Sequence, residues 1–501
     1  MQIREVRNQI RHLTKQAYRC EDECEKGGLL LVREELLEKM RALRRAENKR
    51  KRRRKRGNIR KRFYSDPYRT CKEILSDSSN VPLKVCPQTI NKYVQEVASD
   101  PLKHVDLGLL EGLPEAPLPE VPFNEEKLKF SEFKYTLKKK RNASKPGPNQ
   151  IPYKVYKKCP ELAKHLFGLI LSTFKSNVTP LNWRVSDGIF LPKVKQPAEN
   201  NINHYRQIAL LNVEGKIYWS LIANRLYSYL VEDNNYIKTE SQKGSIKGMA
   251  GCWEHTSMVW SALKEAKSAR SRLAMLWLDL ANAYGTVPHK LIEFALRRYH
   301  VPDRWVRLIL NYYDGLWGRS SSSGSYSDWF CYEKGIFAGC TLSVILFLMS
   351  FNVFMEYVEL GNMDQFSIKG NLIEVLRGFM DDLSILTTTA PMLNMALERT
   401  NKALNWARMQ LKPSKSRSLV MQRGKVLDIE PFFVDGTKIP GLQKEPLRTL
   451  GRVYDCSISD KSATHSLVQK FTSSLVRIDK SKLTAFMKLW ALHHFLQLQI
   501  R

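Results

Sequence analysis

The first pattern in the chain is helical. Ile3, Val6, Ile10, Leu13 and Ala17 recur at alternating spacings of three and four, the seam of a short amphipathic, coiled-coil-like helix. Gly27-Gly28 is expected to interrupt it, and Val32, Leu36, Met40 and Leu43 resume the spacing. From about 126 to 460 the periods are mixed. "RVSDGIFLPKV" (184–194), "LAMLWLDL" (273–280) and "FMDDLSIL" (379–386) predict strands. "HKLIEFALRRY" (289–299) and "NMALERTNKALNWARMQL" (394–411) carry helical spacing, and "FVDGTKI" (433–439) places Asp-Gly between two strand-like runs, a hairpin signal. The expected class is mixed, α+β. Four regions follow: a basic amphipathic arm (1–66), a partly ordered linker (67–125) containing the proline-rich, acidic "LPEAPLPEVPF" (113–123), an α+β body (126–460) and a basic helix-prone segment (461–501).

Two places break the apolar pattern. In "GFMDDLSIL" (378–386), Asp381 and Asp382 stand side by side among Phe379, Met380, Leu383, Ile385 and Leu386. Burying an unpaired carboxylate is costly. The pair therefore belongs either to a tight turn, where Asp is favoured, or to a site that uses its charge. Asp279 repeats the anomaly at the end of an apolar run. Asp caps helices well, but Pro288 and His289 mark a better helix start, so capping does not account for it. One carboxylate at a strand end and two at a turn can converge on hard divalent cations. Side chains of a straight strand alternate in direction, so Asp381 and Asp382 share a site only near a turn. Mg²⁺ suits carboxylate and phosphate oxygens, and two such ions about 3.5–4 Å apart clamp the oxygens of an in-line phosphoryl transfer.

Charge narrows the partner. Lys+Arg number 81 against 50 Asp+Glu, a formal charge of +31, which points to nucleic acid or an anionic membrane surface. The longest apolar stretch, "VILFLMSFNVFM" (344–355), contains Ser350 and Asn352 and is short of the roughly 20 residues of a span. No secretory leader is visible, so no membrane partner is expected. Nine scattered cysteines fit a reducing compartment, nuclear and/or cytoplasmic. Cys20 and Cys24 have no second pair at zinc spacing. Residues 41–62, around "KRKRRRKR" (49–56), hold 14 Lys/Arg and one Glu, or +13, leaving +18 elsewhere. The run reads as a solvated nucleic-acid-binding arm or a nuclear-import signal. Three carboxylates on a basic protein suggest nucleotidyl transfer on nucleic acid.

Seven segments, in order, resemble the reverse transcriptases of non-LTR (LINE-type) retrotransposons. "RNASKPGPNQIPYKVYKKCP" (141–160) and "YRQIALLNVEGKIYWSLIANRL" (205–226) resemble the fingers motifs, and "LDLANAYGTVPH" (278–289) resembles motif A. "GIFAGCTLSVILF" (335–347), "FMDD" (379–382), "MQLKPSKSRSLVM" (409–421) and "LRTLGRVYD" (447–455) resemble motifs B, C and D and the primer grip. The resemblance implies a right-hand polymerase with fingers at about 126–260, a palm on a small antiparallel sheet at about 261–460, and a partial helical thumb. It also implies RNA-templated extension of a DNA primer's 3′-hydroxyl with dNTPs, using two Mg²⁺ ions or Mn²⁺ as a substitute.

The resemblance further suggests residue roles. Asp279 and Asp381 match the principal metal ligands and Asp382 a supporting one. Arg206 matches an arginine that grips the incoming triphosphate, with Lys193 or Lys195 as a second phosphate contact. Tyr284 is either the family's aromatic gate beneath the sugar or a core aromatic. Lys415 is either the lysine that protonates the leaving pyrophosphate or a solvated surface lysine. Gly335 and Gly339 would let backbone come close to the base pair. Ala338 stands where the family commonly has Gln, and Gly285 where relatives often have Asp. No endonuclease, complete thumb, zinc knuckle or RNase H pattern is visible, so a fragment of a longer element or a decayed copy is expected. The alternative reading is a weakened or inactive polymerase-fold protein that binds nucleic acid, domesticated or maturase-like. The oligomeric state is left open.

Overall fold

The computed structural model describes residues 2–75, 81–194, 196–429 and 432–499, with the side chains at 2, 24, 51–56 and 499 outside the description. The chain forms two compact units, residues 1–79 with 460–501, and residues 80–459. In the first, helices Gln2–Arg19 and Glu23–Ser65 contact each other, with Arg33 donating to Thr14 Oγ1 at 3.0 Å. Val6, Ile10 and Ala17 of the expected seam are buried. The break falls at Cys20–Asp22 instead of at Gly27-Gly28, which lie inside the second helix. Glu23 and Glu25 in its first turn complement the helix dipole. The cost of two glycines, about 1 kcal/mol each, is spread over a long helix of strong formers. Phe63 and Cys71 share a core with Ile478, Leu483, Met487 and Leu496, so the two ends of the sequence fold together.

The second unit also takes in residues 81–125 of the expected partly ordered linker, which carry a helix and several core residues. Helix Pro87–Ala98 begins on a proline, suited to a first turn that needs no N–H, and buries Ile90, Val94 and Ala98. Leu83 packs with Ile202 and Tyr205. From the proline-rich stretch, Ala116 and Phe123 enter the main core, and the Phe123 ring lies 4.6 Å from that of Trp305.

The main sheet is antiparallel and five-stranded, in the order Lys425–Val426, Arg417–Gln422, Leu273–Leu278, Asp382–Thr387, Leu376–Phe379. All six residues of its central strand are buried. Helices Thr341–Glu359 and Ala390–Trp406 pack beside it. The former carries the 344–355 apolar run and is the one helix, among the described residues, long and apolar enough to cross a membrane. Nearly every residue of it is buried, as expected of a helix that is apolar all round. In a second sheet, Val185–Pro192 pairs antiparallel with Tyr205–Leu211 and parallel with Trp317–Ser322. "FVDGTKI" is a hairpin, with Asp435 and Gly436 both at positive φ as its two-residue turn requires.

Candidate active site

The site begins at a turn. Asp382 pairs with Phe379, which leaves Met380 and Asp381 as the loop between two strands of the main sheet. Met380 has φ +57°, a conformation the tight hairpin demands and a methionine resists. A clamp behind the turn holds it there. The buried Gln242 Oε1 accepts from the Met380 N–H at 3.0 Å and from the Gly244 N–H at 2.8 Å. Lys243 N–H donates to the Gly378 carbonyl, and Gly378 N–H to that of Ser241, both at 2.8 Å. Gly244 leaves no room for a Cβ against the Met380 nitrogen, nor does Gly251 against the Lys243 carbonyl. The sequence reading missed this clamp; the three glycines of "SQKGSIKGMAG" (241–251) were its only visible signal.

Asp279 follows the central strand, in which Leu278 faces Leu383, so Asp279 and Asp382 lie at the same end of neighbouring strands. Its N–H donates to the fully buried Ser416 Oγ at 3.1 Å, and its carbonyl accepts from the Lys412 N–H at 2.7 Å. Lys415 Nζ stands 3.9 Å from Asp279 Oδ2. The carboxylates feel one another. Burial pushes the Asp279 pKa up, opposed by Lys415 and aided by Asp381. Asp382 is pushed up to about 6, by burial first and then by Asp381 and Asp279, with Arg206 opposing.

Among the described residues no group of three or more His, Cys, Asp and Glu forms a ready-made metal cage. The donor set nevertheless fits Mg²⁺, which is commonly held by one or two carboxylates, waters and substrate phosphates. Carboxylates whose ionisation is resisted by burial and by one another are groups that a hard cation would relieve.

Cations face them. Arg206 is exposed on the Tyr205–Leu211 strand, opposite Leu191. Lys193 continues the partner strand, its N–H bonded to the His204 carbonyl at 3.0 Å. Its ammonium pKa is lowered, first by burial, then by Lys415, Lys412 and Arg206. Lys412 was not singled out in the sequence. Lys195 lies outside the described residues.

Tyr284, on the one-turn helix Ala283–Thr286, stacks on Phe347 at 4.8 Å and 16°. Its hydroxyl pKa is raised, by burial and then by Asp381. The ring is packed like a core aromatic while its hydroxyl end feels the site. Ala338 and Gly339 lie in the loop before helix Thr341–Glu359. The Ala338 carbonyl accepts from the Ala209 N–H at 3.0 Å. Gly339, at φ +134°, has no room for a Cβ because of the Ala209 carbonyl, and Gly335 is confined by Gly285. Both glycines are thus held where two protein segments approach closely. Gly339→Ala is expected to cost about 1–3 kcal/mol from this conformation and clash, read as a lowered denaturation midpoint; an unchanged midpoint would show that the loop shifts freely.

The family model described as reverse transcriptase (RNA-dependent DNA polymerase) matches residues 192–453, just over half of the chain. The chain belongs to the reverse transcriptase family. The matched segment spans Arg206, Asp279, Tyr284, Ala338, Asp381, Asp382 and Lys415. Two relatives agree. One is the Retrovirus-related Pol polyprotein from type-2 retrotransposable element R2DM of Drosophila melanogaster, 25% identical over 312 residues, 60% of this chain and 28% of the relative. The other is the Retrovirus-related Pol polyprotein from type-1 retrotransposable element R2 of Nasonia vitripennis, 26% identical over 325 residues, 63% of this chain and 30% of the relative. These likenesses put the reverse transcriptase domain with those of non-LTR retrotransposons. The chain spans less than a third of the length of either relative.

Proposed function

We propose that the chain copies an RNA template into DNA by extending a primer's 3′-hydroxyl with dNTPs, as part of a retrotransposon. The main sheet is its palm, the helices and strands between about 126 and 260 its fingers, and the helices after 460 part of a thumb. One observation carries this reading: three carboxylates gather at one end of a buried sheet, opposite Lys193, Arg206, Lys412 and Lys415, inside a segment that matches the family. Asp279, Asp381 and Asp382 would hold divalent metal, Mg²⁺ with Mn²⁺ as a substitute, which when bound activates the primer hydroxyl and neutralises phosphate charge. Arg206 offers the triphosphate a planar fork, and Lys193 adds a point charge beside it. Lys415, close to Asp279, is placed to give a proton to the leaving pyrophosphate. We assign the protein to the nucleus and/or cytoplasm, where its RNA template and DNA primer are found.

Primer extension on an RNA template with dNTPs and Mg²⁺ tests the proposal, and failure of the folded protein to extend under varied metal and template would overturn it. Ala338 favours a second reading, a weakened polymerase that still binds nucleic acid, because it offers one methyl where the family commonly has Gln. Strong binding with negligible extension would support that reading.

Tyr284 gives a separate expectation. Tyr284→Ala should open the space beneath C2′ and raise ribonucleotide over deoxyribonucleotide use by about tenfold, about 1.4 kcal/mol of lost discrimination. Tyr284→Phe keeps the ring on Phe347 and should leave the ratio unchanged. Competition between rNTP and dNTP at a single templated position reads the ratio; equal ratios in all three proteins would make Tyr284 a packing residue only.

A further inference from the structure

The loop that carries Asp381 is built against a conformational preference. Of its two residues only Met380 has positive φ, at +57°. A two-residue hairpin with that conformation at its first position favours glycine there, because a Cβ crowds the following carbonyl. This chain has a methionine instead, and an acceptor from elsewhere in the fold holds it. Gln242, 1% exposed, turns one amide oxygen to two backbone donors, the N–H groups of Met380 at 3.0 Å and Gly244 at 2.8 Å. Its Nε2 is also buried and makes no hydrogen bond among the described residues. That nitrogen lies against Gly378, where an added Cβ would stand 2.8 Å from it. The support beneath is anchored on both sides. Gln242 N–H donates to the Lys238 carbonyl at 2.9 Å. Lys238 Nζ at 2.9 Å and Ser241 Oγ at 3.2 Å both donate to Glu359, at the end of helix Thr341–Glu359. Lys243 Nζ reaches Glu254 at 3.5 Å.

The residue type follows from the oxygen. A buried donor left unpaired is costly, so a side chain needed only for packing would be better served by leucine or methionine. Its effect reaches the carboxylates through the backbone. Asp381 and Asp382 are neighbours in sequence and would face opposite ways on a straight strand. The turn at Met380 is what lets both bear on one site, and a Met380 released from its positive φ would rotate the peptide that leads into Asp381. We propose that Gln242 is a positioning residue of the candidate metal site, whose amide oxygen fixes the turn in the conformation that lets Asp381 and Asp382 share a cation. It acts through the Met380 backbone. The inference rests on the polymerase reading, and its test includes metal binding without synthesis.

The test is Mn²⁺ binding to the full chain, read from the loss of the free ion's paramagnetic resonance signal, without primer, template or dNTP. Gln242→Met keeps the length of the side chain and removes the acceptor. It should weaken Mn²⁺ binding by about tenfold, the size of one lost neutral hydrogen bond. Gln242→Glu keeps an oxygen in the same place and should bring binding back near the wild-type value. Met380→Gly adopts the turn unaided, so adding Gln242→Met to it should cost much less than Gln242→Met costs alone. Packing by Gln242 would not produce that coupling. In primer extension, Gln242→Met should raise the Mg²⁺ concentration needed for half-maximal rate and leave primer–template affinity unchanged. Gln242→Asn, which draws the oxygen back by one methylene, makes the same comparison should Gln242→Met not fold. Equal Mn²⁺ affinity in the wild type and these variants, or no binding by any of them, would overturn the proposal. So would a lowered melting temperature with unaltered metal affinity, since Gln242 would then serve stability alone. A wild type that binds Mn²⁺, with the variants in the expected order, but never extends a primer would sink the polymerase reading alone. Normal extension with Mn²⁺ affinity and Mg²⁺ requirement unchanged in the variants would sink this inference alone.

Discussion

Asp381→Ala is expected to lower DNA synthesis by about 10³-fold or more, equivalent to about 4 kcal/mol of lost transition-state stabilisation, while the protein stays folded. Asp381 occupies the second position of a two-residue loop and is outside the strand ladder. No hydrogen bond or ion pair holds its side chain among the described residues. The clamp on the turn acts through Gln242 and the backbone of Met380 and Gly378, which the substitution leaves intact. Removing its charge also relieves both neighbours, because Asp381 helps push Asp279 and Asp382 up. Primer–template affinity should therefore hold or tighten from lost repulsion. Single-nucleotide extension beside anisotropy of the same complex separates the two effects. Normal extension by the variant would mean that the acidic pair serves the turn and nothing more.

The strands that build the site were legible because their apolar runs are local. "LAMLWLDL" becomes a fully buried strand with a carboxylate just past its end, and "FMDDLSIL" a hairpin whose acidic pair marks the turn. The partners that hold these carboxylates were not legible. Gln242 contacts Met380 across 138 residues of sequence, and Ser416 contacts Asp279 across 137. Neither residue type carries a local signal for such a bond. The same holds for Gly339, whose need for glycine comes from the Ala209 carbonyl of a distant strand. Composition did not reveal that Ile90 and Phe123, within the expected linker, are core residues. A few well-placed apolar side chains can dock an extended segment without any periodicity. Gly27-Gly28 misled, since a modest local penalty was set against a long run of favourable helix residues.

Asp382 brings stability and chemistry into opposition, and Asp382→Asn should move them apart. The carboxylate is pushed from an ordinary 3.8 up to about 6 by burial and by its two acidic neighbours. After allowance for solvent screening this corresponds to about 1–3 kcal/mol against the ionised form in the metal-free protein. Between about pH 4 and pH 6 the folded state holds this proton more tightly than the unfolded state. The stabilising contribution of the protonated group is thus complete below about pH 4 and is lost as pH rises through about 6. Asparagine keeps the shape and has no charge to bury. Metal-free Asp382→Asn should therefore melt above the wild type at pH 8 and match it more closely at pH 4. Mg²⁺ should reverse part of the difference, because cation binding stabilises the state with ionised carboxylates. Extension activity should fall in the same variant by about 10–100-fold, the usual range for losing a group that supports a metal site. Melting curves at the two pH values, with and without Mg²⁺, read the first effect, and primer extension reads the second. A variant less stable than the wild type at pH 8 would show that Asp382 is held by a favourable contact instead of being strained by its neighbours, and the carboxylate cluster would lose its electrostatic basis.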